Sequence, residues 1–245
     1  MVGHVYEHER PRTALVAGGA GALGSAVVEV LLGRGEQVCV PWVDEDAADR
    51  LRTRQSDALR DGRLRLSRCD VADSDQVAAL LDVLRADWGP LWLACSTVGG
   101  WAGGQTVEEL EHVSLLDRMV LLNLRTATVV AREGLRHMGP AGGRIVLVGS
   151  RTAIRPVAGQ AAYTAAKAGV LALVATLAEE LRGSGRTANA VVPKVVDTPA
   201  NRLAMPGADH GRWVPPRAIA KVVAWLATAE SWPVSGAAIP VYGDS

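Results

Sequence analysis

Tyrosine, lysine and cysteine each occur only three times in this 245-residue chain, and neither sign of charge predominates. Each shortage excludes something. Cys39, Cys69 and Cys95 are odd in number and form no Cys-x-x-Cys, which excludes a disulfide framework and a paired-thiol redox motif. Each lies in or beside an apolar, strand-like run, so all three read as buried free thiols of a reducing compartment rather than as nucleophiles. Lysine plus arginine and aspartate plus glutamate both number 26, leaving no electrostatic footprint for nucleic acid. The basic run from Arg50 to Arg68 is broken by Asp57 and Asp61 and reads as a solvated helix face followed by a strand. No apolar run is long enough to span a bilayer, and the first twelve residues are polar, without the apolar core of a signal peptide. The expectation is a cytoplasmic protein with a flexible leader over 1–12, in which His4 and His8 are solvated, and no bound metal.

The scarcity makes one pair informative. With three tyrosines and three lysines, the number of accidental Tyr-x-x-x-Lys pairs expected in the chain is about 0.04, yet Tyr163-Thr164-Ala165-Ala166-Lys167 is such a pair. Residues four apart on a helix share a face, so the spacing brings the ammonium to the phenol. A free phenol titrates near ~10, too high for acid or base work at neutral pH, and a neighbouring cation pulls that value down. A phenol tuned in this way can exchange a proton with a substrate oxygen. Ser150 stands thirteen residues before Tyr163, after the apolar run Ile145-Val146-Leu147-Val148.

A second motif lies near the start. The β-prone run Thr13 to Ala17 leads directly into Gly18-Gly19-Ala20-Gly21-Ala22-Leu23-Gly24 and then into a helical stretch ending at Leu32. Gly19, Gly21 and Gly24 satisfy G-x-G-x-x-G in the strand-to-helix setting that dinucleotide binding requires: a tight turn, close approach to a pyrophosphate, and close packing of helix on strand. Further strand-like runs near 37–42, 64–68, 91–96, 144–149, 187–192 and 237–241 alternate with helical stretches. That alternation predicts βαβ units and a seven-stranded, doubly wound parallel sheet in a single α/β domain over 13–245. At this length and with 49% hydrophobic residues, the chain can bury a sizeable core. The Pro- and Gly-rich stretch from Pro193 to Trp213 lacks periodicity and reads as the loop after the sixth strand.

With the glycine turn, Asn123 in Leu121-Leu122-Asn123-Leu124, Ser150, Tyr163 and Lys167 in this order, the chain resembles the short-chain dehydrogenase/reductase family over nearly its whole length. The resemblance implies a Rossmann-type fold and NAD(P)-dependent hydride transfer between nicotinamide and a carbonyl, alcohol or imine-like carbon. It implies that Tyr163 passes the proton, Ser150 binds the substrate oxygen, Lys167 lowers the Tyr163 pKa and holds the ribose, and Asn123 anchors a water of the proton relay. It extends the cofactor contacts to Gly18, Gly21, Ala22, Leu23 and Gly24, to Asp44, to Asp70 and Val71 after the third strand, to Gly99, to Tyr163 and Lys167, and to Pro193, Val196 and Thr198. Loops at Gly99 to Gly104, Asp197 to Asn201 and Met205-Pro206 resemble the quinoid dihydropteridine reductases, which lack the serine that Ser150 supplies here.

Two alternatives stay open beside a carbonyl reductase: dihydropteridine reduction, and a non-catalytic dinucleotide sensor on the same fold. A serine hydrolase is excluded, because Gly149-Ser150-Arg151-Thr152-Ala153 is not a nucleophile elbow. Asp44, twenty residues beyond Gly24, is placed to accept a ribose 2′-hydroxyl and repel a 2′-phosphate, which favours NAD over NADP. The long alanine- and leucine-rich stretches from Leu110 to Met138 and from Gln160 to Leu181 are expected to pair between subunits in a homodimer or homotetramer, as the family's equivalent helices do.

Overall fold

A computed structural model describes residues 11–110 and 112–244. Most of the expected leader, with His4 and His8, lies outside the described residues; Arg12 is described, and its backbone N–H donates to Glu36 Oε2 at 2.9 Å. The strands are β1 (Thr13–Ala17), β2 (Gln37–Trp42), β3 (Leu64–Arg68), β4 (Leu91–Ser96), β5 (Gly143–Val148), β6 (Arg186–Pro193) and β7 (Ala238–Val241). They form one parallel sheet in the order β3-β2-β1-β4-β5-β6-β7. The strand order reverses between β1 and β4, and the crevice at that switch is where such sheets take ligands.

Alternation along each strand decides the layers. In β1, Leu15 and Ala17 point to one core with Val77 and Leu81 of α4 (Ser74–Trp88) and Val170 and Val174 of α7 (Ala161–Glu180). Ala14 and Val16 point to the other, with Val27 and Leu31 of α1 (Ala22–Leu32) and Ile219 and Val223 of α9 (Pro216–Leu226). Both faces are covered, which is why the central strands β1, β4 and β5 are buried almost throughout and read as largely apolar runs. The basic run divides into α2 (Glu45–Arg54), α3 (Ser56–Arg60) and β3, with Arg52 paired to Glu45 and Asp49, and Arg60 to Asp57. All three thiols are buried, and burial pushes Cys39 and Cys95 up to about 12 and Cys69 to about 11, which keeps them unreactive.

One finding adds to the sequence reading and two differ from it. The stretch from Leu110 to Met138 is not one continuous α-helix: α5 (Ser114–Met119) passes through a π-helical segment, Val120–Arg125, into α6 (Thr126–His137). The stretch from Pro193 to Trp213 contains α8 (Pro199–Ala204). Its helix starts where the Thr198 hydroxyl accepts the Asn201 N–H at 3.2 Å, with Pro199 in the first turn. Finally, α7 is by length and composition apolar enough to cross a membrane, contrary to the expectation that no run is. It packs on the sheet through Ala166, Val170, Val174 and Leu177 and buries Lys167, which makes it a core helix of this fold.

The opposite, amino-terminal edge of the sheet is closed by cations on an aromatic ring. The guanidinium carbons of Arg12 and Arg144 lie 4.2 and 4.7 Å from the Trp92 ring centroid. Arg144 is almost fully buried, donating to the carbonyls of Thr228, Gly143 and Gly185 at 3.0, 2.9 and 3.1 Å. Burial, and then the nearby Arg12, bring its pKa down to about 10.

Candidate active site

The site is assembled from loops leaving the carboxyl ends of the strands. After β1, the glycine turn feeds α1, whose first turn has neither a side-chain cap nor an acidic residue. A Cβ on Gly24 would lie 2.0 Å from the Gly18 carbonyl oxygen, so only glycine lets the helix sit this close to the turn. The helix end is therefore open, uncapped and close to backbone, which fits a pyrophosphate. After β4, Thr97 ties this loop to β1, donating from both its backbone N–H and its hydroxyl to the Ala17 carbonyl at 2.9 and 3.0 Å.

Asn123 lies in the π-helical segment, the kind of distortion that re-aims side chains at functional positions. Its side chain clamps Gly100: Nδ2 donates to the Gly100 carbonyl at 3.0 Å, and Oδ1 accepts the Gly100 N–H at 3.2 Å. Nδ2 also donates to the Met119 carbonyl at 3.0 Å. A Cβ on Gly99 would lie 2.7 Å from Asn123 Oδ1 and 3.2 Å from Lys167 Nζ, so this loop, the asparagine and the lysine meet around a residue that can only be small.

Lys167 is 5% exposed and donates from Nζ to the Val148 carbonyl at 2.8 Å. Burial lowers its pKa to about 8. Tyr163, one turn earlier on α7, is half-buried. Burial raises its phenol pKa, and the Ser150 hydroxyl is the group that pulls it back. The Lys167 ammonium is turned to the Val148 carbonyl at the end of β5, and burial is the largest influence on the phenol. Ser150 Oγ lies 3.0 Å from Thr152 Oγ1 and accepts the Thr152 N–H at 3.3 Å, which fixes its direction at the start of a short 3-10 turn.

Ser150, Tyr163, Lys167 and Asn123 all line one cleft of about 540 Å³. Of the expected cofactor residues, Leu23, Gly99, Pro193 and Val196 line it too. Gly18, Gly21, Ala22 and Gly24 form the turn and helix start beside it, while Asp44, Asp70, Val71 and Thr198 lie outside its wall. Asp44 caps α2, accepting the Ala47 N–H at 3.0 Å, and Asp70 accepts the Ala72 N–H at 2.9 Å. Val71 is buried in the core below α4, and Thr198 caps α8. The sequence reading missed Thr97, Arg151, Gln160 and Lys194, which also line the cleft. Position was the available signal for two of them, since Arg151 and Lys194 directly follow Ser150 and Pro193. Among the described residues, no group of three or more His, Cys, Asp or Glu side chains is placed to hold a metal ion.

Comparison with known proteins matches residues 12–207 to the family model for short chain dehydrogenases. A cis-4-hydroxycyclohexanecarboxylate dehydrogenase of Sinomonas cyclohexanicum is 35% identical over 243 residues, covering 95% of each chain. A dihydropteridine reductase of Dictyostelium discoideum is 26% identical over 232 residues, covering 93% of each. Among solved structures, a blue fluorescent protein from a metagenomic library, in complex with NADPH, is 28% identical and superposes with a TM-score of 0.84 over 96% of this chain and 98% of its own.

Proposed function

The chain belongs to the short-chain dehydrogenase family, and from that premise we propose how its own residues divide the work. The protein is an NAD(P)-dependent oxidoreductase, moving a hydride between nicotinamide and a carbonyl or alcohol carbon of a small molecule. The bound cofactor supplies the hydride and the protein supplies placement and charge. The first turn of α1, from Ala22 to Gly24, takes the pyrophosphate, and Lys167 holds the ribose with the donors that its bond to the Val148 carbonyl leaves over. Ser150 donates to the substrate oxygen. Tyr163 gives that oxygen its phenolic proton as the carbon gains the hydride, and takes a proton back in the oxidative direction. Asn123 works by holding Gly100, which sets the wall of the cleft.

The observation that carries this reading is the convergence, in one cleft, of a half-buried phenol, a serine hydroxyl that acts on it, and a buried ammonium one helical turn away. Ser150 in that wall favours a carbonyl or alcohol over a quinonoid dihydropterin, and the filled site favours catalysis over sensing alone. NAD is the preferred cofactor: Asp44 stands at the end of β2, and Arg52, the basic residue stacked on Trp42 there, is engaged by Glu45 and Asp49. Trp225 and Trp232, with Val113 and Leu121 before and within the π-helical segment, leave apolar surface exposed, which supports a homodimer or homotetramer. Unpaired buried thiols fit a cytoplasmic setting. The test is a panel of carbonyl compounds and quinonoid dihydropterin with NADH and NADPH, followed by loss of reduced-cofactor absorbance. Turnover of carbonyls with NADH preferred is expected; activity confined to the pterin, or to neither, overturns the reading.

A further inference from the structure

The cleft is electrostatically one-sided. Arg151, Lys167 and Lys194 line it, and among the described residues no aspartate or glutamate does. Lys167 is accounted for by its bond to β5 and its place beside Tyr163, but Arg151 and Lys194 are not used by the proton-transfer machinery. Among the described residues, neither makes an ion pair. The charged pair closest to Lys194 in the chain is internal, Asp197 with Arg202 at 2.6 Å.

The two cations come from adjacent strands and line the same cleft: Arg151 opens the 3-10 turn after β5, and Lys194 directly follows β6, which pairs with β5. Pro193 is in register with Val241 of β7, which sets Tyr242 in the same row, and the Arg151 guanidinium carbon lies 5.9 Å from the Tyr242 ring centroid. This row lies on the β7 side of Ser150, away from the glycine turn at β1 where the pyrophosphate seat is. The lining also carries exposed apolar side chains: Trp101 and Met205 are 60% and 39% exposed, and Val157 is 47% exposed, large hydrophobic groups that a bound molecule would cover.

From this arrangement we propose that the substrate carries an anionic group, a carboxylate, held by Arg151 and Lys194, with its hydrocarbon body against Trp101, Val157 and Met205 and its carbonyl at Ser150 and Tyr163. The substrate class is an oxo acid, and the product of reduction a hydroxy acid. This rests on the reductase reading above and adds to it the charge of the substrate. Planar donors of arginine fit a carboxylate in two-point fashion, and a lysine adds a point charge.

The experiment is a set of matched pairs, each an oxo acid and its methyl ester, with linear, alicyclic and aromatic skeletons, assayed with the full chain and saturating NADH or NADPH. In every pair that is turned over, kcat/KM for the acid is expected to exceed that for the ester by roughly tenfold or more, the lower range for a hydrogen bond to a charged group. Arg151→Gln and Lys194→Gln should each lower the acid-to-ester ratio several-fold, and the double variant should bring it near one. A ratio near one in the wild type, or a ratio that neither variant changes, overturns the proposal. A fall in affinity for the cofactor with the ratio intact also overturns it, assigning the two cations to the cofactor. Absence of turnover for every pair, while neutral carbonyl compounds without an acid or ester group are reduced, overturns this proposal and leaves the reductase reading standing; absence of turnover for both sets, with dinucleotide binding retained, counts against the reductase reading itself.

Discussion

Lys167 carries its ammonium into a wall that holds no carboxylate, with one carbonyl at 2.8 Å to receive it. In the unfolded chain the amine titrates near 10.5, and in the folded protein at about 8. Between those values the unfolded chain binds a proton that the folded one does not, so this residue makes the fold more stable as pH rises from about 8 towards 10.5. The buried thiols act the other way, because folding raises their pKa above 9.0 and the folded chain keeps protons the unfolded chain loses. The residue must therefore be isolated by difference. Lys167→Met, which fills the space without the charge, is expected to be more stable than the wild type below pH 8, with an advantage that shrinks as pH rises through the window. Thermal unfolding of both proteins across that range checks it, and a difference that does not vary with pH contradicts it.

At the scale of elements, the π-helical segment and the sheet edge do different jobs. The segment turns Asn123 onto Gly100, so Asn123→Ala should leave the fold standing at a cost of about 1–3 kcal/mol for unpaired backbone groups while loosening the cleft wall. Substrate KM should rise more than cofactor Kd; equal changes in both would mean that the asparagine acts on the cofactor seat. At the amino-terminal edge, Arg144→Met leaves four carbonyls, those of Thr228, Gly143, Gly185 and Ala229, without this donor and takes a cation from the Trp92 face. A loss of about 2 kcal/mol in denaturant unfolding, with unchanged KM values, is expected. An effect on KM would show coupling across the sheet that the packing does not suggest.

The central strands were legible because burial on both faces makes them largely apolar runs: β1 to β4 fall on the expected residues, β5 and β6 differ by one residue at each end, and β7 by one residue at its start. The π-helical segment was not, since it shifts hydrogen bonds without changing composition. Neither was α8, whose six residues are too few to display a period. The motif residues of the site were readable because their spacing encodes a helix turn or a strand end. Arg151 and Lys194 belong to no motif, and adjacency to Ser150 and Pro193 was the one local signal that could have found them.

For the whole molecule, the exposed apolar surface predicts self-association. Sedimentation at micromolar concentration should give a dimer or tetramer, and a monomer would remove that part of the account. The central claim is that Tyr163 is the proton donor of this cleft, and it is tested most directly by Tyr163→Phe. The substitution removes one hydroxyl from a half-buried ring and leaves the glycine turn and the start of α1 untouched. The measurement is kcat with an accepted carbonyl substrate, beside the dinucleotide Kd of the same preparation. A fall in kcat of about 100-fold or more, with Kd within a few-fold of the wild type, is the predicted result. A variant that binds cofactor normally and turns over near the wild-type rate would contradict it.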